Sequence, residues 1–314
     1  MPNVVEPKIV SIVVPVYYNE ESLEPLFDRL RVFEAALQQR RLRLELIFVD
    51  DGSGDGSLAA LQRIRTARPE TKIIKLTRNF GALAASKTGL RYATGDCVSI
   101  LAADLQDPVE KVLEMVDCWR AGRKFVICVR ANRDDPWTTK LFAALYYRII
   151  RFLVIRDYPR GGFDLMLMDR DLLPHMLAIG PNTHPNLFAY WLGFEPQVLT
   201  YSRQKRQFGR SRWSFRKKVA LFIDTLTGFS VAPIRMLAGF GFFVATASFL
   251  YGFYILIHAL LGEIEVAGFA TLVVLITFFS GLILVMLGVV GEYLWRIFDN
   301  SQNKPESIVE QADL

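Results

Sequence analysis

Five short clusters of polar residues in this 314-residue chain each follow an apolar run: Pro15–Glu21, Asp50–Asp55, Thr77–Asn79, Asp104–Asp107 and Arg130–Arg133. Carboxylates dominate three of them. Carboxylates suit a divalent cation or the polar edges of a base and a sugar, and the guanidinium pair of the fifth suits a phosphate. Gathered on one surface, such groups make a nucleotide-diphosphate site. The Asp51–Gly56 sequence alone signals only a turn, since Asp, Gly and Ser make turns everywhere. A further basic group, Arg203, Lys205, Arg206, Arg210 and Arg212, surrounds Gly209, where a backbone without Cβ lets an anion approach closely. Cys97, Cys118 and Cys128 form no C-x-x-C pair and no metal spacing with His, so they read as small apolar residues in a reducing compartment.

The clusters need a scaffold that brings them together. Lys8–Val16, Leu44–Val49, Lys72–Leu76, Cys97–Ala102 and Phe125–Val129 are β-branched or apolar runs of strand length. Between them, Glu20–Gln39, Ser57–Arg68, Gly81–Tyr92 and Pro108–Arg120 carry helical periodicity. The alternation predicts an α/β layered sheet with mostly parallel strands. Ligands of such sheets lie outside the carboxyl ends of the strands, and all five clusters fall there.

Apolar content is 52% but unevenly spread. Residues 1–233 read as a soluble sequence. Met236–Leu261 and Ala267–Trp295 are apolar runs, each longer than the ~20 residues a helix needs to cross a bilayer core. No Lys or Arg lies between Arg235 and Arg296, and the link at 262–266 is short and acidic. The pattern predicts a transmembrane hairpin with both ends on the cytoplasmic side, since Lys217, Lys218, Arg235 and Arg296 flank it. Trp213–Asp224 mixes aromatic and cationic residues as an interfacial helix does, and Pro233 breaks the chain before the first span. Gly241 and Ala245 would let helices pack closely, which leaves room for a homo-oligomer. The N-terminus shows no basic-then-apolar leader, which predicts that the soluble part stays in the cytoplasm. The net charge of +5 gathers around 203–218, beside the hairpin, and points to anionic membrane lipid rather than nucleic acid.

Ser11–Glu21, Val49–Asp55 and Ala102–Pro108 resemble the motifs of glycosyltransferase family 2. With Arg78–Gly81, Arg206–Trp213 and the two-helix tail, the chain is most similar to bacterial polyprenyl-phosphate glycosyltransferases related to dolichol-phosphate mannose synthase. The resemblance covers nearly the whole chain. It implies a GT-A nucleotide-sugar-binding fold over residues 1–212, an interfacial helix and linker at 213–233, two transmembrane helices at 234–296 and a cytoplasmic tail at 297–314. It also implies a multi-pass protein of the inner (cytoplasmic) membrane, with catalytic domain and termini in the cytoplasm.

Carried over by residue, the resemblance places Pro15, Tyr17 and Glu20 at the nucleoside. Asp50 meets the base edge, with Asp51 beside it in the donor site. Asp104 and Gln106 hold Mg2+ or Mn2+ and the donor diphosphate. Arg130, Lys140 and Arg206, with Ser211 nearby, are candidates for the acceptor phosphate. The implied reaction is inverting transfer of one sugar from a nucleotide-sugar, UDP-glucose or another UDP-hexose, to polyprenyl phosphate. Undecaprenyl phosphate is the expected acceptor, and the product a lipid-linked sugar for the cell envelope. Metal at Asp104 would stabilise charge on the leaving diphosphate. A phosphate monoester, with a second pKa near ~6, is already largely a dianion, so it needs positioning more than deprotonation. Asp157 is the candidate for an optional general base.

The chain departs from the family pattern twice. Ala102 stands where an Asp-x-Asp motif has its first carboxylate, and Asp164 follows Phe163 where a basic residue is usual. A single carboxylate still suffices for magnesium, which keeps waters and uses substrate phosphates. Two other readings stand beside the transferase. A processive polysaccharide synthase would carry a Q-x-x-R-W motif, whereas Gly209 stands where its Gln belongs. A non-catalytic nucleotide-sugar-binding assembly protein would account for Ala102.

Overall fold

The computed structural model describes residues 7–131, 137–180, 183–203, 222–223, 225–261, 268–302 and 304–314. The chain divides into two units, one of residues 1–221 with 305–314 and one of residues 222–304.

In the first unit the order is β1 (Ile9–Val16), α1 (Glu20–Gln39), β2 (Arg43–Asp50), α2 (Ser57–Ala67), β3 (Lys72–Leu76), α3 (Ala82–Arg91), β4 (Cys97–Ile100), α4 (Val109–Arg120) and β5 (Phe125–Arg130). Then come α5 (Trp137–Leu153), β6 (Leu165–Asp169), α6 (Leu173–Ala178), α7 (Pro185–Trp191), β7 (Pro196–Tyr201) and, from the C-terminus, β8 (Val309–Asp313). One sheet holds all the strands in the order β7-β5-β6-β4-β1-β2-β3-β8. The pairs β1–β2, β1–β4, β2–β3 and β5–β7 are parallel, and β4–β6, β5–β6 and β3–β8 are antiparallel.

β1 shows why the centre is parallel. Val10, Ile12, Val13, Val14 and Val16 are all buried, so both faces need covering, as helical crossovers provide. α1 supplies one such cover, burying Leu23, Leu26, Phe27, Leu30, Phe33 and Leu37 at helical spacing against the core. At the other end of the strands Glu45 closes a polar network. It accepts from Lys72 Nζ (2.7 Å), Ser11 Oγ (2.5 Å), the Thr94 N–H (2.8 Å) and Thr94 Oγ1 (2.7 Å).

The expected elements as far as β5 are present with ends shifted by a residue or two. The strand expected to reach Ala102 ends at Ile100. The last residues, expected as a tail, correct that reading: β8 pairs antiparallel with β3 and closes the sheet edge.

The second unit is built on α8 (Ala232–Leu260) and α9 (Phe269–Ser301). Both contain a stretch long and apolar enough to cross a membrane, Ala232–Tyr254 and Phe278–Ser301. The Tyr293 hydroxyl donates to the Ser230 carbonyl (3.0 Å), and a Cβ at Gly241 would lie 3.1 Å from Met286 Cε, so the helices run antiparallel in contact. α9 continues past the boundary expected at 296. The link at 262–266 and most of the interfacial stretch at 213–233 lie outside the described residues.

Candidate functional site

The order β3-β2-β1-β4 reverses direction at β1, so the crevice at the carboxyl ends of β1 and β4 is a topological switch point. Pro15 helps to open it. The β1–β4 ladder runs from Val10↔Cys97 to Val13↔Ile100, and the Leu101 N–H donates to the Val13 carbonyl (2.9 Å). Pro15, two residues on and aimed the same way, has no N–H to extend the pairing. The pairing stops there, with Tyr17 following β1 and Asp104 in the turn after β4.

The β2 end supplies two buried acids with different roles. Asp50 is fully buried. Its Oδ1 accepts from the Ser53 N–H (3.2 Å), while Oδ2 has no hydrogen-bond partner among the described residues. Burial pushes its carboxyl up from the ordinary range, against the pull of Ser53. A buried acceptor without a donor is costly, and a ligand N–H would satisfy it. Asp51 is already engaged, with Oδ1 and Oδ2 accepting from the Phe80 (2.7 Å) and Gly81 (2.9 Å) N–H groups. It clamps the loop after β3. Gly52, at φ +67°, lies under that loop, and a Cβ there would be 2.6 Å from the Arg78 carbonyl carbon. The Arg78 guanidinium in turn covers the Phe80 ring at 4.2 Å.

Glu20 is likewise engaged, its Oε2 accepting from the Gly56 N–H (2.9 Å) just before α2. Tyr17 and Tyr18 meet edge to face at 4.7 Å. Tyr18 has φ +54°, an uncommon backbone for a bulky residue, and its N–H donates to Ser53 Oγ (3.1 Å).

After β4, Asp104 Oδ1 accepts from the Gln106 N–H (3.1 Å), and Leu105 sits at φ +59°, turning the chain sharply. Asp104 is largely buried. Among the described residues no group of three or more His, Cys, Asp or Glu could hold a metal. Such a donor set fits magnesium or manganese held by one carboxylate together with a ligand's phosphates, and does not fit an all-protein cage.

The other half of the rim holds a network that sequence reasoning did not find. The Tyr201 hydroxyl, at the end of β7, is 2.8 Å from Asp107 Oδ1 and 3.1 Å from Asp164 Oδ2. Asp164, just before β6, accepts a fork from Arg130, with Nε at 2.5 Å and Nη2 at 2.9 Å. Arg203 Nε lies 3.7 Å from Asp107 Oδ1 and makes no hydrogen bond among the described residues. Burial drives the Asp107 carboxyl up, Arg203 and Tyr201 pull it back, and Asp164 and Asp104 add to the rise. That mutual influence places the three acids in one field. Arg130, expected at a phosphate, thus carries a carboxylate instead, from the residue that departs from the family pattern. Residue spacing could not reveal this: Asp107 and Tyr201 are 94 positions apart.

Asp157 lies exposed in the turn after α5, and its carbonyl accepts from the Tyr190 hydroxyl (2.7 Å). Arg206 and Ser211 lie outside the described residues, as does the side chain of Lys140.

Comparison with known proteins agrees in kind. Residues 11–177 match the family model "Glycosyl transferase family 2". The chain is 34% identical to "Uncharacterized glycosyltransferase YkcC" of Bacillus subtilis (strain 168), over 96% of this chain and 93% of that one. It is 30% identical to the "SfII prophage-derived bactoprenol glucosyl transferase" of Shigella flexneri, over 96% of this chain and 98% of the relative. Among solved structures, the mannosyltransferase PcManGT from Pyrobaculum calidifontis, in complex with GDP-Man and Mn2+, is 22% identical. That match covers 65% of this chain and 59% of the other, with a TM-score of 0.46.

Proposed function

The chain belongs to glycosyl transferase family 2, and from that premise we propose that it transfers one sugar from a nucleotide-sugar to the phosphate of a polyprenyl phosphate at a membrane surface. One observation carries the reading. The similarity to a relative named for bactoprenol, a polyprenol, covers 96% of this chain, so it takes in the apolar helices as well as the sheet.

The rim can be divided by chemistry. The nucleoside lies in the crevice beside Tyr17, with a base N–H donating to Asp50 Oδ2. Pro15 keeps the crevice open, and Glu20 and Asp51 hold the turns that wall it. Asp104 and Gln106 would hold Mg2+ or Mn2+ against the diphosphate, where the ion offsets the charge that grows as the sugar departs. The acceptor phosphate oxygen forms the new bond to the anomeric carbon, from the face opposite the diphosphate, and the old carbon–oxygen bond breaks with its electrons going to the diphosphate. Lys140 and Arg206, with Ser211, orient that acceptor through charge-assisted bonds, while Arg130 stays on Asp164. Asp157 is not required as a base, because the acceptor arrives already ionised.

Purified full-length chain in detergent is given radiolabelled UDP-glucose or another UDP-hexose, Mg2+ and undecaprenyl phosphate. The expected product is a single mild-acid-labile lipid-linked sugar. A polymer would favour a processive synthase, and nucleotide-sugar binding without transfer to any polyprenyl phosphate would overturn the proposal in favour of an assembly role.

A further inference from the structure

The C-terminal residues do more than cover a sheet edge. Glu306 pairs with Lys87 Nζ (2.7 Å) and lies 3.7 Å from Arg91, both on α3. Lys87 also donates to the Ile179 carbonyl. Ser307 Oγ and Thr88 Oγ1 share a hydrogen bond of 2.5 Å, with both residues buried. The Thr77 N–H donates to the Ile308 carbonyl (3.0 Å). Beyond it β8 pairs with β3 from Val309↔Leu76 to Asp313↔Ile73, Lys75 pairs with Glu310 (2.9 Å), and Arg65 Nη2 reaches the Leu314 carbonyl (3.3 Å).

These contacts converge on the loop from Thr77 to Gly81. Its first residue is held by the strap through Ile308. Its last two N–H groups are held by Asp51, and Gly52 packs against its middle. α3, which begins at Ala82, is held by Glu306 and Ser307. The loop is therefore fixed from two sides, by the turn that carries Asp50 and by the C-terminus.

We propose that residues 305–314 are a positioning strap for the nucleotide side of the rim, so that docking of the strap and binding of the nucleotide-sugar reinforce one another. The strap touches no reacting atom. It fixes the loop that Asp51, the neighbour of Asp50 in the same turn, also clamps, and it rests on the donor-side reading given above. A loop held in place need not be ordered when ligand arrives, so strap docking is expressed as donor affinity. The effect must be reciprocal, because coupling between two binding equilibria has one value. In the chain only residues 302–304 separate the strap from α9, so this positioning element is the part of the catalytic unit that follows directly on the apolar helices.

The test uses the full chain in lipid nanodiscs, with a form lacking residues 305–314 and a milder double variant, Glu306→Gln with Ser307→Ala. Calorimetry with UDP-glucose and with GDP-mannose, each with Mg2+, should show donor affinity falling about tenfold in the deletion and less in the double variant. The apparent KM for polyprenyl phosphate should stay unchanged. By hydrogen exchange, the 77–81 amides should lose protection in the variants, and nucleotide should slow exchange across Val309–Asp313 in the unaltered chain. Should the deletion fail to fold, the double variant carries the same readings. Unchanged donor affinity, or loss of donor and acceptor use in step with thermal stability, overturns the strap while leaving the transferase reading intact. Failure of the unaltered chain to bind either nucleotide-sugar counts against both.

Discussion

At the scale of single residues, the site is a contrast between acids that are engaged and one that is open. Asp51 and Glu20 hold backbone N–H groups, Asp164 holds Arg130, and Asp107 lies against Tyr201 and Arg203. Asp50 alone offers a fully buried oxygen with no partner among the described residues. Asp104 differs in offering a carboxylate at the switch point whose Oδ1 accepts from the Gln106 N–H of its own turn. With Ala102 near it in place of a second acid, the proposed metal binding would rest heavily on this one group. Asp104→Asn should therefore lower turnover about 100-fold or more, the scale of losing preorganised charge stabilisation. Ala102→Asp should lower the metal concentration needed for half-maximal activity. Metal titration of initial transfer rates checks both, and an Asp104→Asn protein at full activity in chelator would refute the assignment. The sequence made Asp50 and Asp104 legible because each follows an apolar strand. It did not make the Arg130–Asp164 fork legible, because nothing local ties residue 130 to residue 164.

At the scale of elements, the rim depends on turns whose backbone admits little change. Gly52 combines φ +67° with a neighbouring backbone 2.6 Å from any added Cβ. Gly52→Ala should thus destabilise the protein by roughly 1–3 kcal/mol and weaken nucleotide binding, since Arg78 and Asn79 must move. Thermal unfolding and donor titration on the same preparation measure this, and an alanine variant as stable as the parent would argue against the packing described. At the far ends of the strands the Glu45 network gives a pH dependence. Burial alone would raise the Glu45 carboxyl, but Lys72, Ser11 and Thr94 together hold it below its ordinary range. A depressed folded-state value means the network stabilises the fold above the unfolded value near ~4.3 and is lost as pH falls through the lower, folded one. Glu45→Gln should flatten that part of the acid limb in a stability–pH curve and leave the neutral-to-alkaline limb alone. The first five strands could be read from periodicity. β6 and β7 could not, because five or six residues beside long loops carry too little pattern. β8 was hidden for a different reason: Val309–Asp313 is an acidic, mostly exposed run that is a strand only because β3 needs a partner.

At the scale of the whole chain, the distribution of charge in sequence predicts an orientation for the apolar helices in a membrane. Lys217 and Lys218 precede α8, Arg235 lies in its first turn, Arg296 lies within the last two turns of α9, and no Lys or Arg occurs between Arg235 and Arg296. The acidic link at 262–266 has nothing to hold it on the cytoplasmic side, while the cations at the other ends do. Strap residues 305–314 belong to the same unit as the catalytic sheet, so a chain that crosses a membrane through α8 would have to come back through α9. Both constraints favour two crossings, with the link on the far side. Ile264→Cys should accordingly react in intact cells with a membrane-impermeant maleimide. Of the native thiols Cys97 and Cys128 give little background, since both are buried and burial pushes the Cys128 thiol up to about 12, whereas the half-buried Cys118 is first replaced by serine. Lys304→Cys, beyond the end of α9, should label only once the membrane is opened. Labelling of position 264 only after permeabilisation would reverse or remove the hairpin, and the acceptor headgroup would then have to be sought by some means other than a spanning anchor.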